Sequence, residues 1–465
     1  MTLHGLTVAA AFGLALGLSG NALVAGGLSV AIMALFVIVS NAKHTMLGEP
    51  LLFSDLALVM GIIRHPGFYL TALSRFQQFL LMAGALGLLG LLGWLFVGQA
   101  APHLAGIALM LAALAGLAAT FRLRPWATLA ATPDIDGDVA RHGLLATLML
   151  YWRRWRRTPD PLPCQDDADL LAAPGDGAPE LIVVVQCESF ADPVALTGDP
   201  ARALPGLTRA RGAARQWGKL HVSGFGAYTM RTEFAVLFGR REEALGFRRY
   251  DPFLSARGET THALSARLGM AGYRRTFLHP HDLRFYGRDR LMPAIGFERL
   301  IGEEGFPAPS PAMGRYVDDR TVGRTLCALI DQATEPTFLY AVTMENHGPW
   351  TQDRSPGSPG GLEAYLRHAR NSDAMLTDLA DHLAASGRSA LLVFFGDHRP
   401  SIPGEIEPGP VRHTPYVMME FRNGETVPGQ QVDLTPDRLH HAILDVVRRR
   451  SGAQASEQQV AHKSR

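Results

Sequence analysis

Residues 389–400 read SALLVFFGDHRP, an apolar run that stops at Gly396 and then presents a carboxylate, Asp397, beside an imidazole, His398. A continuous apolar run of this length, rich in aromatic and branched side chains, is the pattern of a strand buried on both faces of a parallel sheet. In open α/β sheets ligands gather in the crevice outside the carboxyl ends of the strands, so this is a place to hold a metal. An Asp-His pair in a loop is more often a solvated turn or a helix cap. Partners elsewhere in the chain must decide.

Working outward, LIVVVQ (181–186), RRTFLH (274–279), TFLYAVTM (337–344) and PYVMMEF (415–421) have the same strand character. HALSARLGMAGY (262–273), VDDRTVGRTLCALIDQ (317–332), LEAYLRHARNSDAMLTDLADHLAAS (362–386) and PDRLHHAILDVVRRR (436–450) have helical spacing. Strands and helices in alternation predict an α/β fold, an α/β/α sandwich over 180–450. TPDPLPCQDDADLLAAPGDGAPE (158–180) is a linker rich in Pro, Asp and Gly, and the polar tail 451–465 is expected to be disordered.

The chain has 465 residues, of which 47% are hydrophobic, and the excess lies at the front. No charged residue occurs from Gly5 to Ala42, enough for one long membrane span or two short ones hinged near Gly20-Asn21. FLLMAGALGLLGLLGWLFVG (79–98) and LAGIALMLAALAGLAATF (104–121) follow as a helical hairpin. Residues 1–125 are therefore expected to form an α-helical transmembrane domain of three or four spans, not a cleaved signal peptide. Residues 126–179 should hold an interfacial segment and the linker. In that segment GLLATLMLYWRRWRR (143–157) is too short to span but suited to lipid headgroups. Arg122, Arg124, Arg141 and the RRWRR run read by charge alone would place this flank in the cytoplasm.

A formal charge of +1 excludes a strongly basic nucleic-acid binder. Cys164, Cys187 and Cys327 form neither a disulfide framework nor a CxxC knuckle.

Strand ends elsewhere carry further polar groups: Glu188 after LIVVVQC, His347 in MENHGPW, and Thr229 in the glycine-rich SGFGAYTMRTEF (223–234). Taken singly, each has a bland reading as a solvated carboxylate, a loop histidine or an N-cap. Taken together, one sheet edge would hold all of them without purpose.

VVVQCESF, GAYTMRTEF, RFYGRD, MENHGPW and FFGDHRP, in this order and spacing, resemble the lipoteichoic acid synthase and phosphoglycerol transferase family, the membrane-anchored branch of the alkaline-phosphatase and sulfatase superfamily. NAKHTMLGEPLLFSDL (41–56) is similar to that family's loop between spans. The resemblance implies a sulfatase-like catalytic domain over 180–450. It implies Thr229 as nucleophile and metal ligand, with Glu188, Asp397 and His398 as the other ligands of one divalent ion, Mn²⁺ first and Mg²⁺ or Zn²⁺ next. Coordination would lower the pKa of the threonine hydroxyl, and Thr229 would carry a covalent phosphoglycerol group. Arg288 is implied to grip the substrate phosphate, Tyr286 to stand where the family has a tryptophan near the glycerol, and His347 to contact substrate and move protons. His413, in RHTPY, is a further candidate for substrate contact. Without the resemblance, Arg288 reads as a salt bridge to Asp289 or Glu298, and His279 and His281 as loop residues near the entrance.

The expected function is a multi-pass inner-membrane transferase with its catalytic domain on the periplasmic or extracellular side. It would take phosphoglycerol from phosphatidylglycerol and pass it to a glycan or polyglycerolphosphate acceptor. Abundant Ala, Gly, Leu and Arg point to a GC-rich genome, and so to periplasmic glucans or other surface glycans. A phosphoethanolamine transferase is the alternative, although three cysteines do not supply the disulfides usual there. A sulfatase is disfavoured because no C/S-x-P-x-R context surrounds Thr229. A catalytically dead binding protein has no need for a nucleophile beside three ligands.

Overall fold

The computed structural model describes residues 2–56, 75–123, 128–164, 178–255, 257–309, 315–350 and 360–447. The expected tail, Arg124 and most of the linker lie outside these. The chain divides into two compact units, Met1–Thr158 and Pro159–Arg465.

In the first unit the uncharged N-terminal run is two helices, α1 (Thr2–Ser19) and α2 (Ala22–Leu47), as the shorter-span alternative anticipated. Asn21 separates them by accepting from the N–H groups of Leu23 and Val24 at the start of α2. Next come α3 (Arg75–Trp94) and α4 (Ala100–Thr120). Among the described residues α1, α2 and α4 are long and apolar enough to cross a membrane, whereas the apolar stretch of α3, expected over 79–98, is the shorter Met82–Leu91. Helices α1 and α4 touch backbone to backbone. A Cβ on Gly106 would stand 2.3 Å from the Gly17 nitrogen, and one on Gly13 would stand 2.6 Å from the Met110 nitrogen. Small residues one turn apart permit this approach where no hydrophobic driving force separates helix from lipid. In the 41–56 loop Lys43 pairs with Asp55, whose carboxylate also accepts from Leu52 N–H. Helices α5 (Ile135–His142) and α6 (Leu144–Arg157) follow. In the basic run of α6, Arg153 lies over Phe121 and Arg154 donates to the Leu129 carbonyl, while Trp152 is exposed.

The second unit is built on one nine-stranded sheet. Its strands are β1 (Leu181–Cys187), β2 (Gln216–His221), β3 (Arg274–Leu278), β4 (Arg299–Ile301), β5 (Thr337–Val342), β6 (Ala390–Gly396), β7 (His413–Arg422), β8 (Glu425–Thr426) and β9 (Gln430–Gln431). The order is β4-β3-β5-β1-β6-β7-β2-β9, with β8 paired to β7. The pairs β4-β3, β3-β5, β5-β1 and β1-β6 are all parallel. Strand β7 runs antiparallel to β6, which makes the sheet mixed. Every residue of β1, β5 and β6 is buried, which is why these three were continuous apolar runs in the sequence.

Leu181, Val183, Val185 and Cys187 face a core shared with α8 (Pro205–Ala213), α12 (Asp319–Gln332) and α13 (Leu362–Ala385), the counterparts of the predicted helices 317–332 and 362–386 plus one unforeseen. A short helix, α7 (Pro193–Thr197), precedes α8. The alternate residues Ile182, Val184 and Gln186 are equally inaccessible, so the opposite face is covered too. Three other helices are joined through His440 on the last one, α14 (436–447). His440 lies against the Val236 carbonyl of α9 (Thr229–Phe238) and against Arg267 of α10 (Leu264–Met270). The helix expected over 262–273 is shorter than its spacing implied: a 3-10 turn at Arg257–His262 precedes it. Strand β5 ends two residues before its predicted limit, which frees Thr343–His347 to form a loop.

Candidate metal centre and nucleophile

The carboxyl ends of β1 and β6 lie side by side, with Cys187 paired in register to Gly396. A Cβ at Gly396 would stand 1.8 Å from the Phe190 carbonyl oxygen, so only glycine lets the β1 turn pass this close. Glu188 and Asp397-His398 therefore leave adjacent strands into one crevice. Glu188, Asp397 and His398 are all buried, and a ligand atom of each lies within 4.8 Å of the others.

Thr229 is the first residue of α9, not its cap. Tyr228 occupies the cap position in a left-handed conformation at φ 79°, an unusual backbone for a tyrosine that aims the following hydroxyl into the crevice. The ring of Tyr228 is held by the Arg231 guanidinium 3.9 Å above it, and Thr232 Oγ1 donates to the Asp397 carbonyl at 2.7 Å. Thr229 Oγ1 thus lies 3.4 Å from Glu188 Oε2 and 3.4 Å from His398 Nε2. His398 Nε2 is 3.5 Å from Glu188 Oε1 and 3.6 Å from Asp397 Oδ2.

These residues fit a divalent cation. Four donors at the corners of a tetrahedron about 2.1 Å from a metal are about 3.4 Å apart, and the observed separations lie close to that. Asp397 Oδ1 accepts from the N–H groups of Ser189 and His398, but Oδ2 is buried with no hydrogen-bond partner. His398 Nδ1 faces the Arg399 carbonyl at 3.1 Å. Donation there leaves the Nε2 lone pair for a metal. Burial and the neighbouring Glu188 carboxylate push the Asp397 pKa up to about 6. Burial opposes an imidazolium at His398, yet Asp397 and Glu188 outweigh it and raise that pKa. Two buried carboxylates that favour a cation between them are the electrostatic demand a metal meets.

Beside this centre stands a cluster around Arg288, the first residue of α11 (Arg288–Ala294). Arg288 is 1% exposed, and its partner is neither Asp289 nor Glu298 but Glu233 of α9, at 3.0 Å from Nε and 2.5 Å from Nη2. The Nη1 edge faces His279 Nε2 at 3.2 Å. The fork of the guanidinium is therefore occupied by Glu233, and its remaining Nη1 edge by His279. Glu233 and His279 are residues that sequence reasoning missed. His279 is not at an entrance: it is buried at the end of β3, against the Val342 carbonyl, and burial and Arg288 hold its pKa well below the usual value. His281 is largely enclosed, and burial, His347 and Arg288 bring its pKa down to about 4. Tyr286, half-buried at φ 59°, meets Phe253 edge-on and Phe285 at a tilt, and lies 5.2 Å from the Arg288 guanidinium. His347 is half-buried, with Tyr316 5.9 Å away. His413 does not join the metal cluster; it stands at the start of β7 with Arg399 and Lys219.

Removing Arg288 leaves Glu233 charged and unpaired in the interior. Arg288→Ala is expected to cost about 3–5 kcal/mol of stability, measured by denaturant unfolding; a loss under 1 kcal/mol would show that Glu233 finds another partner.

A second buried network braces the loop that carries His347. Asp319 N–H, at the start of α12, donates to Glu345, which also meets His368 at 3.0 Å and Asn371 at 2.7 Å. The Asp319 carboxyl accepts from Ser372 and contacts Cys187, next to Glu188. Burial and then the Glu345 carboxylate push the Asp319 pKa up to about 8. An acid with a raised folded pKa stabilises most below its unfolded value, near 3.9, and loses that contribution as pH rises to the folded value. The native protein should thus lose stability from about pH 4 to 8. Asp319→Asn should flatten this slope in urea midpoints recorded at saturating metal; parallel slopes would exclude Asp319 as the proton holder.

The fold and the constellation together place a buried hydroxyl, two carboxylates and an imidazole, able to hold a metal ion, at the carboxyl edge of a mixed α/β sheet. Residues 180–444 match the Sulfatase family model, which is more than half of the chain, and the chain belongs to that family. It is 29% identical over 414 residues to the capsular polysaccharide biosynthesis protein RkpI of Rhizobium meliloti, covering 83% of this chain and 76% of the relative. It is 27% identical over 243 residues to a putative cyclic beta-1,2-glucan modification protein of the same organism, covering 49% of this chain and 36% of the relative. Among solved structures the membrane protein lipooligosaccharide phosphoethanolamine transferase A of Neisseria meningitidis aligns at a TM-score of 0.51 and 13% identity, over 90% of this chain and 83% of that one. That likeness spans the apolar helices as well as the sheet domain, and it is a likeness of fold.

Proposed function

We propose that this chain is a membrane-bound phosphoglycerol transferase working on the outer side of the inner membrane, with phosphatidylglycerol as donor and a glycan hydroxyl as acceptor. The observation that carries the reading is the Thr229 hydroxyl at the start of a buried helix, 3.4 Å from both Glu188 and His398. A divalent ion held by Glu188, Thr229, Asp397 and His398 would favour the threonine alkoxide and neutralise charge on the phosphoryl oxygens. Mn²⁺ is the proposed ion, and the spacing suits Zn²⁺ as well.

In the first half-reaction Thr229 Oγ1 bonds to phosphorus and the bond from phosphorus to the diacylglycerol oxygen breaks. The leaving oxygen takes a proton, for which half-buried His347 is the proposed donor. In the second, an acceptor hydroxyl gives its proton to His347 and attacks phosphorus, and the bond to Thr229 breaks. Arg288, fixed by Glu233 and His279, contributes its positive charge to the phosphodiester, and Tyr286 lies beside it as a wall for the glycerol. A glycan acceptor is supported by the two relatives, one named for capsular polysaccharide biosynthesis and the other for glucan modification. Apolar helices of spanning length suit a lipid donor, and α6 offers Trp152 beside arginines to headgroups.

The test is release of fluorescent diacylglycerol by the full chain in detergent with Mn²⁺, from phosphatidylglycerol and, in parallel, from phosphatidylethanolamine. Release from the first supports the proposal. Release from the second alone would replace it with phosphoethanolamine transfer; the three cysteines, none of them in a disulfide, argue against that reading.

A further inference from the structure

On the β7-β2 side of the sheet, a pocket of about 150 Å³ is lined by Asp192, Arg211, Trp217, Lys219, Arg399 and His413, among others. Three permanent cations meet one carboxylate there, and Asp192 is already taken by Arg211 at 2.9 Å. Arg399 is only 8% exposed. Its Nη1 and Nη2 donate to the carbonyls of Val411 and Ala195, but its Nε is buried without a partner. Neither Arg399 nor Lys219 makes an ion pair among the described residues. A buried guanidinium satisfied by neutral carbonyls alone is costly, since an unpaired interior charge is normally compensated.

The walls have the composition of a ligand site. Trp217 and Lys219 alternate along β2 and so project from one face. Opposite Lys219 in register is Pro415, two residues beyond His413 on β7. Burial first, and then Arg399, Lys219 and His221, lower the His413 pKa against the opposing Asp433 carboxylate. The pocket also shares a backbone with the metal centre. Arg399 follows His398, and its carbonyl accepts from Gly226 N–H while facing His398 Nδ1.

We propose that this pocket is an oxyanion subsite that takes a phosphate or carboxylate substituent of the glycan acceptor, with Arg399, Lys219 and His413 around the anion and Trp217, whose ring carries the Arg211 guanidinium at 5.6 Å, as a wall beside it. Identifying the bearer of the anion as the acceptor rests on the transferase reading above; binding of the anion does not. Arg399 contributes its charge and its unpartnered Nε–H, since Nη1 and Nη2 already donate to backbone carbonyls, and an amphipathic indole suits the rim of a sugar site.

The test is calorimetric titration of the full chain in detergent with inorganic phosphate, glucuronate and glucose, after chelation so that Glu188 and Asp397 repel anions from the catalytic crevice. One phosphate or glucuronate should bind per chain, and the tighter of the two tells which substituent the site takes. Lys219→Gln and His413→Gln should each weaken binding roughly three- to tenfold, the size of one charge-assisted contact, and Thr229→Ala should leave it unchanged. No donor turnover enters this measurement, so a failed transferase assay leaves it intact. Absence of binding, equal affinity for glucose, or indifference to Lys219→Gln would overturn the subsite.

Discussion

If the proposed transfer holds, Thr229→Ala is expected to lower the rate of diacylglycerol release by at least about 10³-fold, the scale of losing a nucleophile from a preorganised site. The loss should fall on the rate constant more than on donor affinity, because the substitution leaves the proposed phosphodiester-binding residues Arg288 and Tyr286 in place. Thr229→Ser keeps the hydroxyl and the helix start, so it should recover a measurable part of the rate. Single-turnover kinetics in detergent separate these outcomes. Wild-type rates in the alanine variant would mean that another group attacks phosphorus.

Chelation is expected to abolish turnover and also to change the sign with which one carboxylate acts on stability. Without metal, Asp397 has a folded pKa of about 6 against about 3.9 unfolded, a difference worth about 3 kcal/mol. That stabilisation is present below pH 4 and is lost as pH rises through 6, so the chelated protein should be more stable at pH 5 than at pH 7. Asp397→Asn removes the charge that burial and Glu188 disfavour. It is therefore expected to raise the melting temperature of the chelated protein at pH 7 while eliminating the rise that added metal gives the native one. Metal at about one hundred times its dissociation constant contributes about 2.7 kcal/mol to a protein that binds it only when folded. Thermal scans of both proteins with and without Mn²⁺ give all four values. A chelated variant no more stable than the chelated native protein would remove the electrostatic argument for a cation.

The central strands were legible because burial on both faces leaves no polar residue to interrupt LIVVVQ, TFLYAV or ALLVFF, and because the glycine at 396 marks where β6 must give way to Phe190. Strands β2 and β4 were not, since QWGKLH and RLI alternate or are too short to stand out. Glu188, Asp397, His398 and Thr229 could be gathered from the sequence, but only as residues following strands and within quoted motifs; their common crevice is a product of sheet order. Glu233 lay inside one of those motifs and still escaped. All ten residues of α9 are buried, and a carboxylate in such a helix is a signal for a buried cation that proximity in sequence cannot supply. Its partner, Arg288, comes from a helix 55 residues further on. The same holds for Arg399, whose neighbours Lys219 and His413 arrive on strands β2 and β7 that pair far along the chain.

The account turns on Thr229 holding the transferred group between its two bond exchanges. Mixing the metal-loaded full chain with phosphatidylglycerol, quenching in acid within the first turnover and mapping the peptides by mass spectrometry measures that directly. The peptide containing Thr229 should gain the mass of one phosphoglycerol, fragment ions should place it on Thr229, and the Thr229→Ala protein should show none. Donor consumption in step with native turnover, with no modified Thr229 peptide at any quench time, would contradict it.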